Sequence, residues 1–228
     1  MTKILAIDAS SGACSVALSH TGDVITRYIK SERDHTRQVL PMVDEVLTEA
    51  NISLRELDAL AFTAGPGSFT GLRIAFGFIQ GLAASVNLPV IAVSSLAAAA
   101  MGAIREGFCE SDVLVTFDAR MGEVYWGQYR LDGEGAIRCI SREQLSSPKD
   151  VVAVSAPHLV AYGPGWHYID LPHGQVAKTL VDVTPHAQDI LPLALAKWSQ
   201  GDTLAAEQVE PLYLRNEVTW KKRQKIRS

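Results

Sequence analysis

The stretch Ala64-Gly65-Pro66-Gly67-Ser68-Phe69-Thr70-Gly71-Leu72-Arg73 separates two apolar segments of this chain. The run before it, Leu60-Ala61-Phe62-Thr63, has strand character, and the segment after it stays apolar as far as Val86. Glycine lets the backbone turn sharply and lets another backbone come close, and Ser68 or Thr70 can cap the first free amides of a helix. The sequence therefore predicts a strand, a glycine turn and a helix.

The glycine turn departs from the known phosphate-binding and nucleophile motifs, although the start of a helix often holds a phosphate. It lacks the Gly-Lys-Ser/Thr ending of a P-loop, and its glycines at 65, 67 and 71 miss the Gly-x-Gly-x-x-Gly spacing by one residue. Pro66 stands two residues before Ser68, where Gly-x-Ser-x-Gly requires a glycine. These motifs therefore assign neither a phosphate nor a nucleophile to the turn.

The predicted helix after the turn is apolar or small around most of its circumference. One helical stripe comprises Leu72, Phe76, Ile79, Ala83 and Val86, and the residues off that stripe include Ile74, Phe78, Gly81 and Ser85. Such a helix is buried on more than one side, and Gly77, Gly81 and Ala84 would let another helix pack closely. A central core helix and an interface helix both fit this pattern. The unbroken apolar run is too short for a membrane span.

Composition predicts a cytoplasmic protein with a full core and no membrane association. The 228 residues are 47% hydrophobic and 20% charged, with a formal net charge of −4. Asp8 breaks the first apolar run, so the start of the chain does not resemble a signal peptide. Cys14, Cys109 and Cys139 lie far apart, which is typical of reduced thiols rather than of a disulfide framework.

The last fourteen residues, 215–228, form a basic tail on an otherwise acidic chain. Its basic residues are Arg215, Lys221, Lys222, Arg223, Lys225 and Arg227. Glu217 is its acidic residue, and Trp220 lies beside the lysines. An acidic body is a poor surface for nucleic acid by itself, whereas the tail could contact RNA or an acidic partner. A solvated chain end fits the same composition.

Two halves of the chain begin in the same way, with a strand, an aspartate, a tight turn and a second strand. Asp8 follows the first apolar run and Asp118 follows the run at 113–117, and a glycine stands four residues after each of them. We therefore predict an α/β fold with two actin-like (ASKHA/RNase H-like) lobes, each a mixed sheet with helices. The predicted division is 1–108, 109–214 and the tail. A nucleotide in such a fold would lie between the lobes near Asp8 and Asp118, although Asp8 could instead cap its own turn.

Several separate segments together resemble one protein family over nearly the whole chain. They are residues 4–10, 14–18, His35-Thr36 with Leu40-Pro41-Met42, Gly65 to Arg73, 117–125 and Pro211-Leu212-Tyr213-Leu214-Arg215. The chain is similar in these segments to the TsaB (YeaZ) family, and the Gly-Pro-Gly-Ser-Phe-Thr-Gly-Leu-Arg block is highly specific. The resemblance implies an actin-like two-lobed fold and a role in making N6-threonylcarbamoyladenosine in tRNA.

The resemblance also implies a non-catalytic subunit, with no catalytic residue, metal or cofactor of its own. The implied partners are the paralogue TsaD, which carries the metal and the transfer chemistry, and the ATPase TsaE. The chain would form a heterodimer with TsaD, form a homodimer when alone, and reach tRNA only through the complex. Helices 36–50 and 70–86 resemble the family's dimerisation surface, with candidate contacts at Met42, Val46, Leu72, Arg73, Phe76 and Ile79.

Two other classes of protein remain open on the sequence. The paralogue's metal-binding pair of histidines is incomplete here, because His35 has no second histidine four residues later, and a lone histidine before a helix is usually structural. An actin-fold ATPase or small-molecule kinase would use Asp8 and Asp118. A hydrolase would use Ser68 or His35, but no base and orienting acid stand at a recognisable spacing.

Overall fold

The computed structural model describes residues 1–30, 35–108, 112–131, 137–154, 158–169, 176–212 and 214–215. The elements of the first part are β1 (Ile4–Asp8), β2 (Ala13–His20), β3 (Asp23–Lys30), α1 (His35–Glu49), β4 (Ala59–Gly65), α2 (Phe69–Val86), β5 (Val90–Ser94) and α3 (Ser95–Arg105). Those of the second are β6 (Asp112–Asp118), β7 (Val124–Leu131), β8 (Ile137–Cys139), β9 (Gln144–Ser146), β10 (Leu159–Tyr162), β11 (Lys178–Leu180) and α4 (Ala187–Ser199). The predicted strand, turn and helix around Gly65 are confirmed as β4 and α2.

Each part of the chain forms a mixed β-sheet. The first sheet has the strand order β3-β2-β1-β4-β5, in which β2 is antiparallel to β1 and β3 while β4 and β5 run parallel to β1. The second has the order β11-β10-β6-β7-β8, with β9 also paired to β7 and with β10 parallel to β6. The predicted α/β fold of two mixed sheets with helices is confirmed.

Strand β1 is buried on both faces because helices cover both sides of the first sheet. Leu5 and Ile7 contribute to a core with residues of α1 and α2, which we call the first core. Ile4 and Ala6, which alternate with them, pack against residues of α4. This alternation explains why β1 reads as a continuous apolar run in the sequence rather than as an alternating one.

The two parts of the chain exchange helices, which corrects the predicted boundary of the second lobe. Helix α3, from the first part, contributes Leu96 and Ala99 to a core with β6 and β7. Helix α4, from the second part, covers the first sheet, and Val209 after it is buried in the first core. The assignment of all of 109–214 to a C-terminal lobe is therefore wrong for residues 187–212. The tail beyond Arg215 lies outside the described residues.

A half-buried ion pair joins the two exchanged helices. The Arg105 guanidinium in α3 donates through Nε and Nη2 to the two carboxylate oxygens of Asp189 in α4, at 2.7 and 3.1 Å. The Asp189 side chain is only 3% exposed, and its burial raises its pKa, although the paired guanidinium opposes that shift. The Tyr162 hydroxyl donates to Glu106 nearby, at 3.0 Å. The contact between lobes is therefore specified by charge as well as by apolar packing.

His186 gives the packing of α4 on the first sheet a predicted pH dependence. Its Nδ1 accepts the Gln188 N–H at the start of α4, its ring stacks on Tyr28, and burial followed by the Arg105 charge lowers its pKa to about 4. The unfolded chain, with a His pKa near ~6.5, then binds more protons below that pH than the folded chain does. Stability should therefore fall as the pH drops from about 6.5 towards 4, by about 1–2 kcal/mol after allowance for solvent screening.

Substitution of His186 by asparagine should remove this loss of stability at low pH, because asparagine keeps a capping acceptor and does not titrate. The measurement is urea unfolding of both proteins at pH 7 and pH 4.5. His158→Asn is the matched control, since His158 is exposed before β10. Equal losses of stability on acidification in the wild type and in His186→Asn would contradict the prediction.

Candidate partner-binding surface

The glycine turn is built for close approach of its backbone to the turn between β1 and β2. The Ser68 N–H donates to the Ser10 carbonyl at 2.8 Å. A β-carbon on Gly67 would collide with the Ser10 carbonyl oxygen, and one on Gly71 would collide with that of Ala9. Glycine is therefore required at both positions to seat the start of α2 on the first sheet, in agreement with the expectation that another backbone comes close here.

Asp8 is enclosed beneath this turn and does not open towards the space between the lobes. It is completely buried, and its Oδ1 accepts hydrogen bonds from the Ser10 hydroxyl at 2.7 Å and from the Thr63 hydroxyl. The alternative that Asp8 caps its own turn is the one that this geometry supports. Its predicted place beside the phosphates of a nucleotide is wrong for this structure, because no part of the carboxylate reaches solvent.

Asp118 organises the turn between β6 and β7. Its Oδ1 accepts the Arg120 N–H at 2.7 Å and its Oδ2 lies 3.0 Å from the Arg120 guanidinium. It borders an open depression of about 170 Å³ lined by Arg120, Met121, Gly122, Glu123 and Tyr168. The Asp118 side chain is partly exposed, so a contact between Asp118 and a ligand stays a prediction. The second aspartate expected in a nucleotide cleft, Asp8, is buried and takes no part in it.

Neither a nucleophile nor a metal site emerges from the candidates that the structure describes. Burial, together with the Asp8 charge, raises the pKa of the Cys14 thiol to about 12, which keeps it protonated at neutral pH. The Ser68 hydroxyl accepts the Gly71 N–H as a helix cap. The side chain of His35 lies outside the described residues. In the described ranges, no group of three or more His, Cys, Asp or Glu side chains is placed to hold a metal ion.

The apolar stripe that the sequence singled out on α2 covers the chain's own sheet. Ile79 is 0% exposed within the first core, and Met42 and Val46 of α1 are 7% and 0% exposed in the same core. Leu72 is 2% exposed, and its side chain lies beside Gly65 at the end of β4. Their predicted role as partner contacts is therefore wrong, because these side chains are buried within the chain itself and leave no surface for a partner. Phe76 is half-buried against the first core.

The opposite side of α2 is open to solvent. It carries Gly77 and Gly81, and outside the backbone of the helix no described atom lies within 4 Å of a β-carbon built at either glycine. Ile74 and Phe78 lie beside them, each half-buried, so apolar surface borders the glycines. Leu40 of α1 is 47% exposed on the neighbouring helix.

The N-terminal end of this open side carries an aromatic and cationic pair. Phe69 is 58% exposed, and the exposed Arg73 guanidinium lies 3.8 Å from the centre of its ring. Arg73 is thus a predicted interface residue that the structure leaves accessible. By length and mean hydropathy (1.3), α2 also meets the criteria for a membrane span, and 28% of it is buried. The helix packs on β4 as part of a folded lobe.

The chain forms two mixed sheets, and one helix from each part of the chain packs on the sheet of the other part. This architecture defines an α/β protein with actin-like lobes. A family model described as "TsaD: tRNA N6-adenosine threonylcarbamoyltransferase" matches residues 24–189. The chain is 42% identical to the tRNA threonylcarbamoyladenosine biosynthesis protein TsaB of Escherichia coli (strain K12), over 96% of this chain and 97% of that protein. It is 40% identical to the TsaB of Haemophilus influenzae, over 96% of each chain.

A solved structure shows the same fold. YeaZ from Pseudomonas aeruginosa superposes with a TM-score of 0.88 at 41% sequence identity, covering 94% of this chain and all of that one. The chain therefore belongs to the TsaB (YeaZ) family of tRNA threonylcarbamoyladenosine biosynthesis proteins, within the wider TsaD-like family.

Proposed function

We propose that this chain is the non-catalytic partner subunit in the formation of N6-threonylcarbamoyladenosine in tRNA, and that it pairs with TsaD through the open side of α2. The observation that carries the proposal is the pair Gly77 and Gly81, which face solvent between the half-buried Ile74 and Phe78. Through TsaD the chain would also act with the ATPase TsaE and would meet tRNA only as part of that complex.

The loss of helix stability that these two glycines cause supports an interface on this side of α2. Glycine inside a helix destabilises the helix by about 1 kcal/mol relative to alanine, and neither Gly77 nor Gly81 offsets this cost through a contact within the described part of the chain. A second helix that packs across them would gain close backbone contact and cover Ile74 and Phe78. When TsaD is absent, a second copy of this chain could use the same surface, which would give a homodimer.

The non-catalytic assignment rests on the chemistry of the candidate groups. Cys14 holds its proton, Ser68 caps a helix and Asp8 is buried. We therefore propose that ATP and the metal ion belong to TsaE and TsaD, and that the chain works in the cytoplasm. The alternative is an actin-fold ATPase or small-molecule kinase, for which the partly exposed Asp118 beside its depression is the supporting observation. Calorimetric titration with Mg·ATP separates the two classes.

The purified chain alone should transfer no threonylcarbamoyl group to tRNA and should show no metal-dependent peptidase activity. Addition of TsaD and TsaE with threonylcarbamoyl-adenylate should produce the modified nucleoside, as measured by mass spectrometry of digested tRNA. Reactions that contain TsaD and TsaE without this chain are the control. Robust transfer by the highly purified chain without TsaD would refute the proposal. Co-purification with TsaD, followed by a mass measurement, would give the stoichiometry.

A further inference from the structure

The space between the lobes has a defined position in this topology. In open α/β sheets, ligands bind in the crevice outside the carboxyl ends of parallel strands. Here β1 and β4 run parallel in the first sheet and β6 and β10 run parallel in the second. The carboxyl end of β4 is Ala64-Gly65, and β6 ends at Asp118 next to Ala119. These two edges are where a ligand of the fold would be expected.

The C-terminal segment of the chain reaches the first of these edges. Val209 is 2% exposed and anchors the segment in the first core. Three residues later the Leu212 N–H donates to the Ala64 carbonyl at 2.7 Å. The Leu212 carbonyl lies so close to Gly65 that a β-carbon there would collide with it. The segment therefore occupies the carboxyl end of β4 with its own backbone.

The same segment reaches the second edge within three further residues. The Arg215 guanidinium donates to the Ala119 carbonyl at 3.1 Å and pairs with Glu123 at 2.6 Å, and its side chain is only 17% exposed. The α-carbons of Leu212 and Arg215 are at most ~11 Å apart, because an extended chain spans ~3.3–3.6 Å per residue. The contacts of Leu212 and Arg215 therefore lie at the strand ends of both lobes.

We infer that residues 209–212 and 214–215 act as a strap across the cleft between the lobes, so that the chain's own C-terminal segment lies where a ligand of the fold would be expected. The strap joins the carboxyl end of β4 through a backbone hydrogen bond and the turn after β6 through a charged, largely buried side chain. It does not depend on a pairing with TsaD, because none of these contacts involves the open side of α2.

The strap is tested in the full-length chain by hydrogen exchange at the Leu212 amide. Arg215→Ala removes the contact with the second lobe, and we expect Leu212 to exchange about tenfold faster and the Tm to fall by about 4 °C. Glu123→Gln keeps an acceptor for Arg215 but removes the charge, and a smaller change in the same direction is expected. Arg55→Ala, at an exposed arginine distant in sequence from the strap, is the control and should leave both quantities unchanged.

Equal exchange of the Leu212 amide in Arg215→Ala and in the wild type would overturn the inference. The measurement needs neither TsaD nor tRNA, and it reports on the contact between the lobes rather than on modification. Failure of the strap and failure of the proposed function are therefore distinguishable.

Discussion

Replacement of both Gly77 and Gly81 by glutamate should abolish N6-threonylcarbamoyladenosine in the tRNA of cells that depend on this chain, while the isolated chain stays folded. Both positions are open in the described structure, so the side chains can extend into water. In a complex, the carboxylates would be trapped at a helix–helix contact. A buried, unpaired carboxylate costs several kcal/mol, and about 3 kcal/mol already lowers affinity by more than 100-fold.

A smaller change at the same place should separate stability from binding. Gly81→Ala should raise the Tm of the isolated chain by about 1–3 °C, because alanine is the better helix former. It should also weaken binding to TsaD, because the added methyl group keeps the partner backbone at a distance. Few substitutions stabilise a protein and impair its association together, so this opposite sign is specific to an interface.

Two control substitutions make the result interpretable. Ala196→Glu places the same charge on an exposed position of α4, on the other face of the first sheet, and should leave modification unchanged. Ile79→Asp falls in the first core, where Ile79 is 0% exposed, and should unfold the chain. Thermal melting, TsaD binding and tRNA modification are read on each variant. Wild-type modification by the folded double glutamate variant would contradict the proposed interface.

Arg105→Ala should lower the free energy of unfolding by about 2–3 kcal/mol, which corresponds to a fall in Tm of about 4–12 °C. The substitution leaves the Asp189 carboxylate buried without its guanidinium. The expected loss lies below the 3–5 kcal/mol typical of broken buried pairs, because the Arg105 side chain is 42% exposed and partly solvated. Urea unfolding at pH 7 measures the effect.

A double-mutant cycle distinguishes loss of the pair from loss of packing. Asp189→Asn removes the buried charge, so Arg105→Ala should cost less in that background than in the wild type. Lys197→Ala, which removes a surface pair with Asp202, is the control and should change stability by less than about 1 kcal/mol. A loss below about 0.5 kcal/mol for Arg105→Ala would show that the pair contributes nothing to the contact between α3 and α4.

The local elements around the glycine turn were predictable because their signals lie in neighbouring residues. An apolar run that ends in Gly65, a serine that caps the next helix and a helical period up to Val86 all act over a few residues. The same holds for Asp8 and Asp118, each placed at the end of a strand. The two-sheet architecture followed from the repetition of this pattern in both halves of the chain.

The sequence alone did not determine which side of α2 is open to solvent. The family resemblance implied partner contacts at Leu72 and Ile79, yet both side chains are buried, Ile79 in the first core and Leu72 beside Gly65 at the end of β4. Gly77 and Gly81 mark the open side, but in the sequence they indicate only that another helix could pack closely there. Helical periodicity shows that a face is apolar, but it does not say which neighbour covers that face.

The sequence by itself determined the strands that end at Asp8, Asp118 and Gly65, the glycine turn and helix α2, because capping, backbone freedom and hydrophobic period depend on residues that are close along the chain. The family followed from the resemblance of separate segments. Only the tertiary structure decided that α4 covers the first sheet, that Asp189 meets Arg105 across 84 positions, and that Arg215 reaches Ala119 across 96. Those contacts join segments that are far apart in the sequence, so no pattern among neighbouring residues predicts them. They form because burial of two sheets requires helices from both halves of the chain.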